Sequence, residues 1–172
     1  MIWLIPLAFL AAGDWSGPVE VRWEENLCLS YRARIDGSYL VVEARVEPGW
    51  HTFAMDNERR AKEKLAGKTS LGIDRATEIA AARGLTVAGP WYQTQPKDFS
   101  KPELRWFSWG FENQALFVTR VRRGGAAQAR VRVRGQACSD TKCKNIDVEI
   151  PVPVPAAPGA SEVNLKDLVP VR

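Results

Sequence analysis

Residues 27–46 have the sequence LCLSYRARIDGSYLVVEARV, in which apolar and polar side chains alternate on both sides of Asp36-Gly37. Alternation with a period of two is typical of a β-strand with one buried face, and Asp-Gly favours a tight type I′ turn. The pattern therefore predicts a β-hairpin. Its inward-facing residues are expected to be Leu27, Leu29, Tyr31, Ala33 and Ile35 on the first strand and Leu40, Val42, Ala44 and Val46 on the second.

The same alternation recurs in the C-terminal half of the chain. Residues 115–123 and 128–134 flank Gly124-Gly125 and predict a second hairpin, with an apolar face and an arginine-rich face on its return strand. Residues 146–154 also alternate, and Pro151 and Pro153 predict an edge strand because proline cannot donate a hydrogen bond to a neighbouring strand. Acidic residues of this edge strand are expected to pair with the arginines. The chain is therefore expected to be an all-β sandwich.

The middle of the chain has weaker patterns. Residues 58–65 follow Asp56-Asn57 and have helix-forming composition, which predicts one short helix in the 57–66 region. Residues 72–79 fit a strand or a helix equally well. Residues 84–113 contain Gly, Pro and many aromatic residues without a sustained period, and predict long loops over one end of the sandwich.

Length and composition suit one folded domain: 172 residues, 45% hydrophobic and 26% charged. The first 13 residues, MIWLIPLAFLAAG, form an uncharged apolar run that is too short to span a bilayer and ends in small residues. They predict a signal peptide at 1–13, a soluble, monomeric domain at 14–155 and a loose tail at 156–172. The run has no Lys or Arg, so a buried strand or helix is the alternative. Export disfavours nucleic acid as a partner despite a net charge of +4.

Three cysteines in an exported chain predict one disulfide and one leftover thiol. Four residues separate Cys138 from Cys143 in a polar stretch between two predicted strands. A disulfide across so small a ring would stabilise the fold by only about 2 kcal/mol, and it could open without unfolding the domain. This favours thiol-disulfide exchange, which needs no cofactor.

A passive disulfide is the alternative, formed either by Cys138 and Cys143 or by Cys28 and one of them. The protein would then be a non-enzymatic binding module. Cys28 has the parity of the polar residues in its strand, so it is expected to face away from the core as a bystander thiol. Lys142 and Lys144 would favour a thiolate at Cys143, whereas Asp140 would oppose it.

Two further groups are candidates for binding. An aromatic cluster alternates poorly for a strand and is expected to form a loop, which either fills the core or contacts a partner; its members are Trp106, Phe107, Trp109 and Phe111. His51, the only histidine, could join Met55 and the cysteines as a soft-ligand copper site, although a structural role at a strand end is favoured. No metal site is expected.

Three stretches resemble the N-terminal periplasmic domain of the thiol:disulfide interchange protein DsbD, the disulfide-bond-corrector family. They are Val46-Glu47-Pro48-Gly49-Trp50-His51, Trp109-Gly110-Phe111-Glu112, and Gly135-Gln136-Ala137-Cys138 with Cys143. With the strand pattern, the resemblance extends over residues 18–154. It implies an immunoglobulin-like β-sandwich.

The resemblance also implies a function. Such a domain relays reducing equivalents in the periplasm, from a membrane electron carrier of the DsbD/CcdA type to thioredoxin-like proteins. Cys143 would then form the mixed disulfide, Cys138 would resolve it, and aromatic residues such as Phe107, Trp109 and Phe111 would shield the pair. The sequence departs from the family in two places. The acidic pair that some members have in the shielding loop is absent at Trp106-Phe107, and Lys144-Asn145 replace the prolines that often follow the second cysteine.

Overall fold

The computed structural model describes residues 13–172, which form two antiparallel β-sheets and one short helix. Single 3₁₀ turns lie at Pro102–Leu104 and Leu165–Asp167. The other elements are, in chain order, β1 (Val19–Trp23), β2 (Asn26–Asp36), β3 (Tyr39–Val46), β4 (His51–Phe53), α1 (Asn57–Leu65), β5 (Glu78–Ala82), β6 (Leu85–Gln93), β7 (Lys97–Asp98), β8 (Trp109–Phe111), β9 (Gln114–Arg123), β10 (Gln128–Cys138), β11 (Cys143–Pro153) and β12 (Val169–Pro170).

The two sheets pack face to face as a sandwich. Sheet A has the strand order β1-β2-β3-β9-β6-β12, and sheet B has the order β11-β10-β4-β8-β7 with β5 also paired to β10. The core between them combines side chains such as Tyr31 and Phe117 of sheet A with Val131 and Ile150 of sheet B. This confirms the predicted all-β, immunoglobulin-like sandwich, and α1 confirms the predicted short helix.

The first predicted hairpin is confirmed, but its turn is shifted by one residue. Asp36 pairs with Tyr39, so the two loop residues are Gly37 and Ser38, and of these only Gly37 has a positive φ, 58°. At the end of β2, the buried Asp36 carboxylate accepts hydrogen bonds from the Glu162 N–H at 3.0 Å and from the Arg34 side chain at 3.1 Å.

The second predicted hairpin is wrong. Strand β9 pairs with β3 and β6 in sheet A, whereas β10 pairs with β11, β4 and β5 in sheet B. The chain therefore crosses from one sheet to the other at Gly124-Gly125. A glycine with positive φ, such as Gly125 at 83°, serves a crossover as well as a tight turn, so the dipeptide did not distinguish them.

Two regions that were expected to form a long loop and a loose tail contain β-strands. Residues 85–93 form strand β6 of sheet A, and the register shifts between Val87 and Trp91, where Gly89-Pro90 interrupts the pattern. The C-terminal segment is docked: β12 pairs with β6, and the Val171 N–H donates to the Trp91 carbonyl at 2.9 Å. The predicted signal peptide lies outside the described residues except for Gly13.

Candidate redox site at the end of the β10–β11 hairpin

Cys138 and Cys143 form a disulfide where β10 and β11 meet. The two residues are the last register pair of the hairpin, with an S–S distance of 2.07 Å and Cα atoms 4.0 Å apart. The four residues between them form a tight turn, in which the Ser139 N–H donates to the Lys142 carbonyl at 2.8 Å. The pairing predicted from the spacing is therefore present.

The two sulfur-bearing residues differ in exposure. Cys138 is only 3% exposed, whereas Cys143 lies on the surface together with most of the turn. An incoming thiolate must reach a sulfur along the S–S axis, so the surface residue is the accessible target. Cys143 is thus the exposed residue of the pair, and Cys138 is the covered one.

Cys138 lies between two neighbours because β10 is an inner strand. On one side it pairs with Cys143 of β11, and on the other side it pairs with His51 of β4. The adjacent pair, Ala137 with Thr52, lies on the opposite face of the sheet, toward the core. The Thr52 hydroxyl donates to the Gln136 carbonyl at 3.0 Å. Cys138 and His51 therefore share the outer face of sheet B.

An aromatic residue that the sequence did not single out covers His51. The Phe99 ring stacks on the imidazole with centroids 4.9 Å apart, and the Phe53 ring meets it edge-on at 5.3 Å. Phe99 follows β7, and its N–H donates to the Ser108 carbonyl at 2.9 Å, which anchors it in the β7–β8 connection. The half-buried Phe99 ring is thus held beside the cross-strand neighbour of Cys138.

The three residues that were predicted to shield the cysteine pair lie in strand β8 and just before it. Trp109 and Phe111 form strand β8 with buried side chains, and Phe111 packs edge-on against Phe117 in the core at 5.5 Å. The expected loop is therefore wrong for these two residues, because cross-strand pairing with β4 and β7 overrides their poor alternation. Phe107 is half-buried against the core. A shielding role for the three remains a prediction.

His51 and Asp74 are two titratable groups at this end of the sheet. Burial lowers the pKa of His51, although the carboxylates of Asp74, Glu112 and Asp140 oppose this shift and Lys101 adds to it. Burial raises the pKa of Asp74, partly offset by the nearby side chains of Ser108 and Trp106 and by His51. Among the described residues, the buried atoms His51 Nε2 and Asp74 Oδ2 have no hydrogen-bond partner.

Helix α1 holds this region together through Asn57. The buried Asn57 amide donates to the Asp74 carbonyl at 2.8 Å, and its side-chain oxygen accepts the Trp109 N–H at 2.7 Å. These bonds tie the segment before β5 to strand β8. No sequence signal identified Asn57 or Asp74, since each bond joins residues that are far apart in the chain.

Cys28 does not face outward as predicted. It is a free thiol that is fully buried, because the register of β1 and β2 shifts beside it: Leu29 pairs with Val21 and Leu27 with Arg22, which leaves Cys28 as a bulged residue. A bulge rotates the following side chains and breaks simple alternation. Burial raises the pKa of Cys28, partly offset by the Trp23 backbone and by Lys144 and Lys142.

The predicted ion pairs on the outer face of sheet B are present. Arg132 holds both carboxylate oxygens of Asp147 at 2.7 Å, and Arg130 lies 3.5 Å from Glu149. Within residues 13–172, no group of three or more His, Cys, Asp or Glu side chains is placed to hold a metal ion. No helix in that range is long and apolar enough to cross a bilayer.

No protein-family model matches this chain, and no curated protein sequence does. Among solved structures, it is similar to the N-terminal periplasmic domain of ScsB from Proteus mirabilis, with a TM-score of 0.58 and 14% identity over 90% of this chain and 56% of that one. The chain thus spans little more than half of that structure. The DsbD N-terminal domain of Neisseria meningitidis in the reduced form aligns with a TM-score of 0.40 and 9% identity, over 74% of this chain and 86% of that one. The chain therefore has the fold of the ScsB N-terminal periplasmic domain.

Proposed function

We propose that this protein carries out thiol-disulfide exchange through Cys138 and Cys143. The observation that carries the proposal is the difference in exposure within the pair: Cys143 is at the surface and Cys138 is 3% exposed. A partner thiolate would attack Cys143 Sγ, form a mixed disulfide there and release Cys138 as the thiolate. In the reverse direction Cys138 would attack Cys143 Sγ and expel the partner thiolate.

The position of the disulfide supports an exchange role over a purely structural one. It joins residues that β-sheet pairing already holds opposite each other, so opening it leaves the β10–β11 ladder in place. The ring that it closes is small, and its contribution to stability is about 2 kcal/mol in the chain-entropy model. Phe99 is proposed to act as the aromatic cover that limits access to the pair.

The structural similarity and the N-terminal sequence both support a periplasmic setting. The similar ScsB domain is periplasmic, and residues 1–13 have the composition of a signal peptide, so we propose that this protein acts in the periplasm. Its proposed partners are a membrane electron carrier of the DsbD/CcdA type, which would supply reducing equivalents, and thioredoxin-like proteins, which would accept them.

The first test is the reduction potential of the purified chain, measured by equilibration in glutathione or dithiothreitol buffers. A value between roughly −180 and −270 mV is expected, because exchange catalysts lie in this range. A value below about −300 mV would make the disulfide structural and favour the binding-module alternative.

The second test separates the two sulfurs. Cys143→Ser is expected to abolish exchange with a thioredoxin-like protein, and Cys138→Ser is expected to accumulate a mixed disulfide at Cys143 that non-reducing electrophoresis detects. Equal transfer by both variants would contradict the assigned roles.

A further inference from the structure

The proposed exchange requires a proton to move at Cys138. When a partner attacks Cys143, the S–S bond breaks and Cys138 Sγ takes the electron pair; in the reverse step the Cys138 thiol must lose its proton before it attacks. Cys138 is only 3% exposed, so bulk water has little access to it. A buried thiolate is also unfavourable, because burial disfavours the charged form of a group.

His51 is the titratable side chain placed opposite this sulfur. Cys138 and His51 form a direct cross-strand pair on the outer face of sheet B, and residues paired in this way generally have Cβ atoms about 4.5–5.5 Å apart. The Phe99 stack and the Phe53 edge contact hold the imidazole plane in position. His51 Nε2 is buried and has no hydrogen-bond partner among the described residues.

A packing role alone does not account for these features. A histidine kept only for its ring would leave a buried nitrogen unsatisfied at a cost of about 1–3 kcal/mol, which phenylalanine would avoid. Asp74 Oδ2 is a second buried atom that has no hydrogen-bond partner among the described residues. The Asn57 side chain holds the Asp74 backbone by donating to its carbonyl. His51 therefore has an unsatisfied nitrogen at the strand position opposite Cys138, and Asp74 lies near enough to influence the His51 pKa.

We propose that His51 is the acid–base partner of Cys138, which accepts the Cys138 proton as this thiol attacks the mixed disulfide at Cys143 and returns it in the reverse step. Asp74 acts as a positioning residue, whose carboxylate stabilises the imidazolium that forms. The proposal rests on the proposed exchange function. The other charged groups that face His51 are Glu112 after β8, Asp140 in the cysteine turn and Lys101 in the β7–β8 connection.

The protonation state of His51 fits this role. Burial holds the pKa of His51 below its ordinary value of 6.5, so the imidazole is neutral at pH 7 and can accept a proton. Below that pKa the imidazole is already protonated and cannot act as a base. The resolving step is therefore expected to slow as the pH falls through the His51 pKa and to be nearly constant above it.

The test uses the reduced full chain with the Cys28→Ala background and 5,5′-dithiobis(2-nitrobenzoate), whose released thiolate is coloured. Attack by Cys143 releases one equivalent, and intramolecular attack by Cys138 on the mixed disulfide then releases the second. The rate of the second release is measured from pH 5 to pH 9. For the parent protein, this rate is expected to be nearly flat between pH 7 and 8, above the lowered His51 pKa.

The variant His51→Phe keeps a ring on Phe99 but has no titratable nitrogen. Its second release is expected to rise about tenfold per pH unit over the same range, because only preformed thiolate reacts, and to be at least about tenfold slower at pH 7. The same pH profile in both proteins, or a uniform slowing at every pH, would overturn the proposal. If the parent releases no second equivalent at any pH, the exchange function itself fails and the inference fails with it.

A second measurement keeps the proposal testable if His51→Phe does not fold. Because the chain has one histidine, its Cε1–H signal gives the titration of His51 directly by NMR. Reduction is expected to lower the His51 midpoint further, since the Cys138 thiol donates to the neutral imidazole, and the midpoint of Cys138→Ala is expected not to respond to reductant. A parent midpoint that ignores reduction would overturn the proposal.

Discussion

The two ends of the β10–β11 hairpin belong to the same pair of hydrogen-bonded strands. They differ in the exposure and the pairing of the side chains on their outer faces. At the arginine end, residues 128–134 and 147–153, the outward side chains lie in water, and Arg132 and Asp147 satisfy each other at 2.7 Å. At the cysteine end, residues 136–138 and 143–145, the outer face of β10 lies beside His51, and Cys138 is buried. At the arginine end the charged residues are thus paired at the surface, whereas at the cysteine end the buried His51 Nε2 has no hydrogen-bond partner among the described residues.

This difference shows how one regularly paired hairpin can contain both a stable scaffold and the proposed reactive site. At the arginine end, inward-facing Val131 and Ile150 fill the core. At the cysteine end, the inward position is the small Ala137, and Cys138 and His51 lie on the opposite face of the sheet. Four predictions, from the largest expected effect to the smallest, test this separation.

The largest effect is expected for Ile150→Ala at the arginine end. Ile150 is fully buried, so the truncation should lower the free energy of unfolding by roughly 2–5 kcal/mol. Urea denaturation measures this loss, and Val148→Ala on the half-buried position two residues earlier is the control, with a smaller expected loss. Equal losses at the two positions would mean that the full burial of Ile150 does not determine the size of the loss.

Removal of the disulfide should matter less than the loss of one core side chain. The double variant Cys138→Ala/Cys143→Ala is expected to lower the free energy of unfolding by about 2 kcal/mol, because the bridge closes only a small ring. Urea denaturation of the variant and of the oxidised parent gives the difference. Failure of the variant to fold would show that the cysteine end is part of the scaffold, and would argue against exchange.

Truncation of the aromatic cover should make the disulfide easier to reach. Phe99→Ala is expected to increase the rate of reduction by glutathione about tenfold, equivalent to about 1.4 kcal/mol. Leu104→Ala, in the same β7–β8 connection at a side chain that is 48% exposed, is the control and should leave the rate unchanged. If both variants react at the parental rate, Phe99 does not shield the pair.

The smallest effect is expected for Arg132→Gln. Its ion pair with Asp147 is exposed, and such pairs contribute little to stability because water and salt screen them. The urea midpoint, its response to added salt and the exchange rate should all stay close to the parental values. A marked loss of exchange would instead connect the arginine end to partner docking.

Several elements could be predicted because their signals are local. Residues 27–46 determined a hairpin through alternation and a turn glycine, and Asn57–Leu65 formed a helix from composition. The Cys138–Cys143 spacing favoured the disulfide that the structure contains, although a bridge from Cys28 was the alternative. By contrast, Gly124-Gly125 was ambiguous, because the partner of a strand depends on which sheet has room for it and not on the dipeptide that precedes it.

The surroundings of the disulfide could not be predicted either, because they depend on long-range contacts. Phe99 follows a two-residue strand, and its contact with His51 spans 48 residues of sequence, so no periodicity connected them. The burial of Cys28 resulted from a bulge in the β1–β2 pairing, which alternation within β2 alone did not reveal.

The sequence by itself determined the all-β class, the inward faces of the strands and the cysteine pair, because these depend on side-chain periodicity and short spacing. Only the tertiary structure decided that Cys138 is buried while Cys143 is exposed, that His51 lies opposite Cys138, and that Phe99 covers His51. These features arise from long-range strand pairing, in which β10 is placed between β11 and β4. The physical reason is that burial and cross-strand proximity are properties of the assembled sheets and not of any one segment.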